Sequence, residues 1–188
     1  KSVGEAINDS NLKREDIFIT TKCPAEIKTY EGAKQHFNES LANLNTDYID
    51  LYLIHAPWPW SQIGMDCTSG NIEVWKAMIE FYKEGKIKAI GVSNFLPHHL
   101  EALMREEIQP MVNQIEYHPG FLQEETVRYC KEHGILVEAW SPLGRGRIFE
   151  NELLLELAQK YGKTLPQICI RFAIQMGIIP LPKTMSSD

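Results

Sequence analysis

The sequence predicts an α/β fold with a parallel sheet, and three observations lead to that prediction. Short runs rich in β-branched residues alternate with amphipathic stretches of helical period along the chain. The short runs are apolar almost throughout, as in strands that are covered on both faces. No linker or internal repeat interrupts the alternation. A regular β-α order with such strands is typical of a parallel sheet covered by helices.

Six runs are predicted to be strands because they are short, apolar and bounded by turn-forming residues. These runs are Ile17–Lys22, Tyr48–His55, Ile87–Val92, Val112–Tyr117, Ile135–Trp140 and Ile178–Leu181. Between and after them, apolar residues recur at helical spacing in six longer stretches. These stretches are Glu31–Leu44, Asn71–Lys83, Pro97–Glu107, Glu124–His133, Asn151–Tyr161 and Leu165–Met176. Gly85 and Gly134 follow two of the helices as C-terminal stops, and Pro97 suits a first turn.

Two parallel architectures compete, a doubly wound open sheet and an eight-stranded barrel. A doubly wound nucleotide-binding sheet usually carries G-x-G-x-x-G after its first strand, and Gly144-Arg145-Gly146 lacks the third glycine. A barrel instead gathers polar residues at the C-terminal ends of several strands. The residues that end or follow strands here are Lys22, His55, Ser93, Asn94, Gln114, Trp140, Ser141, Lys183 and Thr184. We therefore predict a TIM (β/α)8 barrel, with about six of its eight strands in this chain.

Composition and charge exclude several classes of protein. The 188 residues suit one domain, and the net charge of -6 without a run of Lys or Arg argues against nucleic acid as a partner. No stretch approaches the roughly 18 apolar residues of a membrane span, and the start at Lys1 is no signal peptide. The four cysteines are scattered without metal-ligand spacing, which fits a reducing cytoplasm. These cysteines are Cys23, Cys67, Cys130 and Cys169.

Five ordered motifs resemble those of the aldo-keto reductase family. They are Ile19-Thr20-Thr21-Lys22, Asp50-Leu51-Tyr52-Leu53-Ile54-His55, Gly91-Val92-Ser93-Asn94-Phe95, Val112-Asn113-Gln114-Ile115-Glu116-Tyr117-His118-Pro119 and Pro182-Lys183-Thr184. The helical segment that begins at Trp75-Lys76-Ala77-Met78 also resembles that family. The resemblance covers essentially the whole chain, in the family's order.

This resemblance implies that Lys22 and His55 belong to an active-site tetrad of Tyr, Lys, His and Asp. A lysine cation beside a phenol stabilises the phenolate, which makes the phenol a better general acid. A neutral histidine can hydrogen-bond the substrate carbonyl. No motif here matches the family's Tyr and Asp, which precede a helix resembling the one near Ser2. Together with the strand count, this predicts a single barrel domain over residues 1–188 that lacks the N-terminal strands and the C-terminal loop.

The resemblance also implies a cofactor, NADPH (NADP+), bound by residues along the chain. Ser93, Asn94 and Gln114 would hold the nicotinamide carboxamide, although Ser-Asn also often forms a turn. The flat ring of Trp140 would stack on the nicotinamide. The pyrophosphate would lie along Ser141, Leu143 and Gly144, and the adenosine 2′-phosphate against Lys183 and Thr184. A cation and a hydroxyl suit that phosphate, so NADPH is favoured over NADH.

The segment after His55 departs from the family pattern. Many relatives have Trp at the position of Ala56, whereas the aromatic residues here are Trp58 and Trp60. Trp58 could form a wall of an apolar substrate pocket, or it could simply pack the loop. His98-His99 opens a helix, but adjacent helical residues point in different directions, so we predict no metal site there.

The sequence therefore predicts that the complete protein is a cytoplasmic oxidoreductase that reduces an aldehyde or ketone to an alcohol by hydride transfer from NADPH, and that residues 1–188 alone are inactive. Its partner would be a small carbonyl compound, and the complete protein would be a monomer. Two alternatives stay open. Lys22 could form a Schiff base in a lyase, which borohydride trapping would reveal. The chain could also be a non-catalytic NADPH-binding member of the same fold.

Overall fold

The computed structural model describes residues 2–183 and contains the predicted alternation of strands and helices. The strands are β1 Thr20–Cys23, β2 Ile49–Ile54, β3 Ile87–Ser93, β4 Val112–Glu116, β5 Leu136–Trp140 and β6 Ile179–Leu181. The helices are α1 Ser2–Asp9, α2 Tyr30–Leu44, α3 Thr68–Lys83, α4 Pro97–Leu103, α5 Glu124–Glu132, α6 Glu152–Tyr161 and α7 Leu165–Gln175. Every predicted strand and helix is confirmed, with boundaries that shift by a few residues.

The largest boundary difference is at the end of α4, which the sequence extends to Glu107 and the structure ends at Leu103. The side-chain amide of Gln109 donates to the carbonyl oxygen of Met104 at 3.1 Å. The Met104 carbonyl at the end of the helix thus accepts a hydrogen bond from a side chain, and not from the backbone N–H of a further helical turn. Pro110 follows, and a proline disfavours helical backbone in the residue before it.

The chain divides into two compact units, residues 1–112 and 113–188. In the first unit β1, β2 and β3 are parallel neighbours, with Lys22 opposite Leu53 and Leu53 opposite Gly91. A Cβ atom at Gly91 would lie 2.5 Å from the carbonyl oxygen of Val112, so the close packing at this point requires glycine. The core between strands and helices includes Trp75, whose Nε1 donates to the carbonyl oxygen of Ile108 at 2.7 Å.

In the second unit β5 and β6 are parallel, with Glu138 opposite Ile179 and Trp140 opposite Leu181. Helices α6 and α7 pack together around the fully buried Cys169. Each helix begins at a side-chain cap, from Asn151 and from Thr164 respectively. These caps satisfy backbone N–H groups that the helix itself cannot.

Within residues 2–183, no helix combines the length and the apolar character needed to cross a bilayer.

Candidate functional site

In the first unit, Lys22 lies near the end of β1 and His55 directly follows β2. They are close enough for the charge of Lys22 to affect the pKa of His55. The backbone N–H of His55 donates to the carbonyl oxygen of Cys23 at 3.1 Å, which continues the pairing of the two strands. Burial lowers the pKa of His55, and the positive charge of Lys22 lowers it further. Both effects favour the neutral imidazole at neutral pH. The charge of Lys22 therefore acts on His55, and it reinforces the neutral form of the imidazole.

Asn94 connects the ends of β2 and β3. Its backbone is left-handed, with φ of 63°, a conformation that asparagine tolerates better than most residues. The side-chain Nδ2 donates to the carbonyl oxygen of His55 at 3.0 Å and to Oγ of the buried Ser93 at 3.1 Å. Asn94 thus helps to fix the backbone of the candidate catalytic histidine, a contact that the sequence did not predict.

The two tryptophans after His55 have different neighbours. Trp60 meets the His55 ring edge-on, with ring centroids 5.4 Å apart. Trp58 instead packs against His99, at a centroid distance of 5.0 Å. The indole Nε1 of Trp58 is buried and finds no hydrogen-bond acceptor among residues 2–183. Trp60 therefore contacts the His55 ring, and the contact of Trp58 with His99 leaves both roles predicted for Trp58 open, a pocket wall or loop packing.

His99 serves the start of α4. Its Nδ1 accepts a hydrogen bond from the backbone N–H of Leu96 at 3.1 Å. Burial, and then the charge of His98, lowers the pKa of His99 to about 4. Although adjacent residues of a helix usually point in different directions, the His98 and His99 rings are close, with centroids only 3.8 Å apart. Across residues 2–183, no three His, Cys, Asp or Glu side chains are grouped to hold a metal.

Sequence reasoning missed a polar anchor beneath the loop that follows His55. The ammonium of Lys28 donates to the carbonyl oxygen of Ala56 at 2.9 Å and to Oδ1 of Asn71 at 2.8 Å. Asn71 is 4% exposed, and its Nδ2 donates to the carbonyl oxygen of Pro57 at 2.9 Å. The two side chains together hold two consecutive backbone carbonyls. We call this pair of residues the Lys28–Asn71 anchor.

The surroundings of the anchor are tightly packed. A Cβ atom at Gly70 would lie 2.7 Å from the Cβ of Lys28 and 2.8 Å from its carbonyl oxygen. Glycine at position 70 therefore lets the start of α3 approach the loop after β1. Burial lowers the pKa of Lys28 to about 8. In the sequence, the Gly70-Asn71 pair could have indicated this anchor, because it puts a polar residue on the apolar face of a helix.

In the second unit, Gln114 and Glu138 form a buried polar pair. They are 4% and 7% exposed, and Nε2 of Gln114 donates to Oε2 of Glu138 at 2.8 Å. The neighbouring Asn113 donates to Sγ of Cys130 on α5 at 3.6 Å, so it faces the helices. Successive strand residues face opposite sides, so Gln114 faces away from α5. Glu138 and Trp140 share a face of β5 for the same reason.

The segment after β5 has an unusual backbone. Ser141, Gly144 and Arg145 all have positive φ, at 49°, 56° and 53°. A Cβ atom at Gly144 would meet the imidazole of His118 at 3.3 Å, so the loop and His118 pack closely. The guanidinium of Arg145 lies over the Trp140 ring, 5.3 Å from its centroid. Arg145 is a residue near the predicted cofactor positions that sequence reasoning did not name.

The remaining cofactor candidates differ in their burial. Leu143 is half-buried and packs against the apolar cluster between α6 and α7. Lys183 is exposed just after β6. Thr184 lies outside the described residues.

A separate groove of about 930 Å³ opens on the second unit. It lies between the loop at Pro119 and helices α6 and α7, with Lys163 and Arg171 among its lining residues. None of the predicted site residues lines this groove.

Comparison with known proteins identifies the family of this chain. The model of the Aldo/keto reductase family matches residues 1–188. The chain belongs to the aldo-keto reductase family. It is 45% identical over 186 residues to the glyoxal reductase of Bacillus subtilis (strain 168). That alignment covers 98% of the chain and 64% of the relative, so the chain spans just under two thirds of this reductase.

Solved structures of aldo-keto reductases have the same fold. The aldo/keto reductase of Brucella melitensis superposes with a TM-score of 0.90 at 43% identity, over 98% of this chain and 68% of that one. An aldo-keto reductase complexed with NADPH superposes with a TM-score of 0.84 at 32% identity, covering 98% and 62%. The predicted fold class, a (β/α)8 barrel with six of its strands in this chain, is confirmed.

Proposed function

We propose that this aldo-keto reductase reduces small aldehydes or ketones to alcohols with NADPH. The observation that carries the proposal is the pair at the ends of β1 and β2, where His55 has a lowered pKa and lies within reach of the Lys22 charge. The similarity to a glyoxal reductase makes 1,2-dicarbonyls such as glyoxal the first substrates to test. We also propose one barrel domain over residues 1–188, in a monomeric cytoplasmic protein.

His55 and Lys22 have separate parts in this proposal. A neutral imidazole can donate a hydrogen bond to the substrate carbonyl, which holds the carbonyl and polarises it toward attack. The Lys22 cation would stabilise the phenolate of a neighbouring tyrosine and so make that phenol a better proton donor. Family resemblance implies this tyrosine and an aspartate, which no motif in the chain matches. We therefore assign only Lys22 and His55.

The side chains of the second unit suit a nicotinamide cofactor. When bound, NADPH supplies the hydride, and the protein supplies its binding and orientation. The amide of Gln114 matches the hydrogen-bonding groups of a carboxamide. The indole of Trp140 offers a flat ring for stacking. Lys183 offers an exposed cation for the adenosine 2′-phosphate, with Thr184 beside it. Ser93 and Asn94 in the first unit, and Ser141, Leu143 and Gly144 in the second, are proposed as further cofactor contacts.

Two measurements on the complete protein test the proposal. NADPH absorbance should fall when glyoxal is added, at a rate proportional to enzyme concentration. NADPH should also quench tryptophan fluorescence, because Trp140 would lie against the cofactor. Binding without turnover of any aldehyde or ketone would favour a non-catalytic member of the family. Failure of both measurements would refute the proposal.

A further inference from the structure

We propose that Glu138 is a positioning residue. It fixes the orientation of the Gln114 amide, so that this amide can hydrogen-bond the nicotinamide carboxamide. The inference rests on the proposed NADPH function and extends it to a residue that has no assigned role. It starts from the 2.8 Å hydrogen bond between Nε2 of Gln114 and Oε2 of Glu138.

A glutamine amide has two possible orientations, related by exchange of its oxygen and nitrogen. An ionised carboxylate only accepts hydrogen bonds. If the Gln114 amide were turned over, its Oε1 would face the carboxylate oxygen of Glu138 without a hydrogen between them. In a buried setting, two facing acceptors are costly, because neither keeps a water partner. Glu138 therefore selects the orientation in which Nε2 faces the carboxylate and Oε1 is directed elsewhere.

The positions of the two residues suit this role. Gln114 lies on the face of β4 opposite to α5, since the adjacent Asn113 is the residue that reaches Cys130. Glu138 lies two residues before Trp140 on β5, so both share a strand face. The carboxylate thus lies on the same side of its strand as the ring proposed to stack on the nicotinamide. Both partners are less than a tenth exposed, which limits competition from water.

The fixed orientation would make the site prefer a cofactor that carries a carboxamide. A carboxamide carries an NH2 group that donates and a carbonyl that accepts. With Oε1 presented to the cofactor, Gln114 would accept from that NH2 group. A cofactor analogue with an acetyl group in place of the carboxamide lacks this donor. The site should therefore discriminate between the two, and Glu138 should set the degree of discrimination.

The test compares three ligands on the native protein and its variants. NADP+ carries the carboxamide, its 3-acetylpyridine analogue lacks the NH2 donor, and 2′,5′-ADP lacks the nicotinamide ring. For the native protein, we expect NADP+ to bind about three- to ten-fold more tightly than the acetylpyridine analogue, the value of one neutral hydrogen bond. Glu138→Met removes the carboxylate at similar size and should bring the ratio of the two dissociation constants close to one. Binding of 2′,5′-ADP should stay unchanged.

A matched control and two further variants separate positioning from a general effect on folding. Asn113→Ala removes a buried polar side chain from the neighbouring position, and it should lower stability while leaving the ratio unchanged. Glu138→Gln keeps a hydrogen-bonding group and should give an intermediate ratio of the two dissociation constants. This variant also provides the test if Glu138→Met does not fold. In a Gln114→Met background, Glu138→Met should have no further effect, because Glu138 acts through Gln114.

The outcomes distinguish this inference from the proposed function. Native protein that binds neither NADP+ nor 2′,5′-ADP would refute the proposed cofactor, whatever Glu138 does. Native protein that binds NADP+ and discriminates, with an unchanged ratio in both Glu138 variants, would overturn the positioning role alone. An equal loss of affinity for NADP+ and 2′,5′-ADP in Glu138→Met would show that Glu138 only supports the fold.

Discussion

The two units of the chain hold their buried polar side chains by different means. In the first unit, Lys28 and Asn71 bind backbone carbonyls of the loop that follows His55. In the second, Gln114 binds the side chain of Glu138. The first arrangement fixes the course of a loop, and the second fixes the orientation of a single amide group. A substitution in the Lys28–Asn71 anchor should therefore disturb stability, and a substitution of Glu138 should disturb ligand discrimination.

The largest expected effect separates two lysines of the first unit. Lys22→Met should lower kcat at least about a hundred-fold with the fold intact, because general acid catalysis contributes roughly 10²–10⁴-fold. Lys28→Met is the matched control, since Lys28 binds a loop and not the reacting groups; its kcat should stay close to that of the native protein. Steady-state kinetics with glyoxal at neutral pH makes the comparison. Native kcat in Lys22→Met would refute the role proposed for Lys22 in making the phenol a better proton donor.

The next prediction tests the stability contributed by the anchor. Asn71→Ala removes the acceptor for Lys28 and the donor for the Pro57 carbonyl, so the free energy of unfolding should fall by about 3 kcal/mol. Urea denaturation measures this change. The control is Asn38→Ala on the exposed face of α2, where a change within about 0.5 kcal/mol is expected. Equal stability of the two variants would contradict the anchor's role.

A ligand effect of about ten-fold is expected in the second unit. NADPH should bind more tightly than NADH, and Lys183→Met should remove most of the difference, because a charge-assisted contact to phosphate contributes roughly 1.5–3 kcal/mol. The exposure of Lys183 places the effect at the lower end of that range. Fluorescence titration of both cofactors provides the measurement. Equal dissociation constants in the native protein would overturn the preference for NADPH.

The last prediction is a pH dependence of stability. Lys28 has a pKa of about 8 in the folded protein, below the roughly 10.4 of an unfolded lysine. Between these values the unfolded chain binds more protons, so the contribution of Lys28 to the free energy of unfolding rises with pH. Lys28→Met lacks this contribution, so the native protein should gain stability relative to the variant from about pH 8 to about pH 10. A constant difference over that range would show that the pKa of Lys28 is not lowered.

The sequence predicted the strands and the closeness of Lys22 and His55 better than the polar contacts around them. β-Branched runs locate the strands, and residues at adjacent strand ends must be close, so Lys22 and His55 were expected together. The Lys28–Asn71 contact joins residues 43 positions apart through loops whose paths the sequence does not specify. Glu138 could have been noticed as an acidic residue in a buried strand, but its partner depends on the pairing of strands. The contact of Arg145 with Trp140 depends on the left-handed backbone at Arg145, which no turn motif indicated.

The acceptors that the Lys28–Asn71 anchor uses belong to the main chain, at positions 56 and 57. Every amino acid carries a carbonyl group, so this attachment does not depend on which side chain follows His55. The exposed Trp60 can therefore be exchanged for smaller or more polar residues while the loop keeps its path, whereas the buried Ala56 cannot be enlarged without disturbing the packing. A mutational library confined to position 60 should retain a high fraction of folded members.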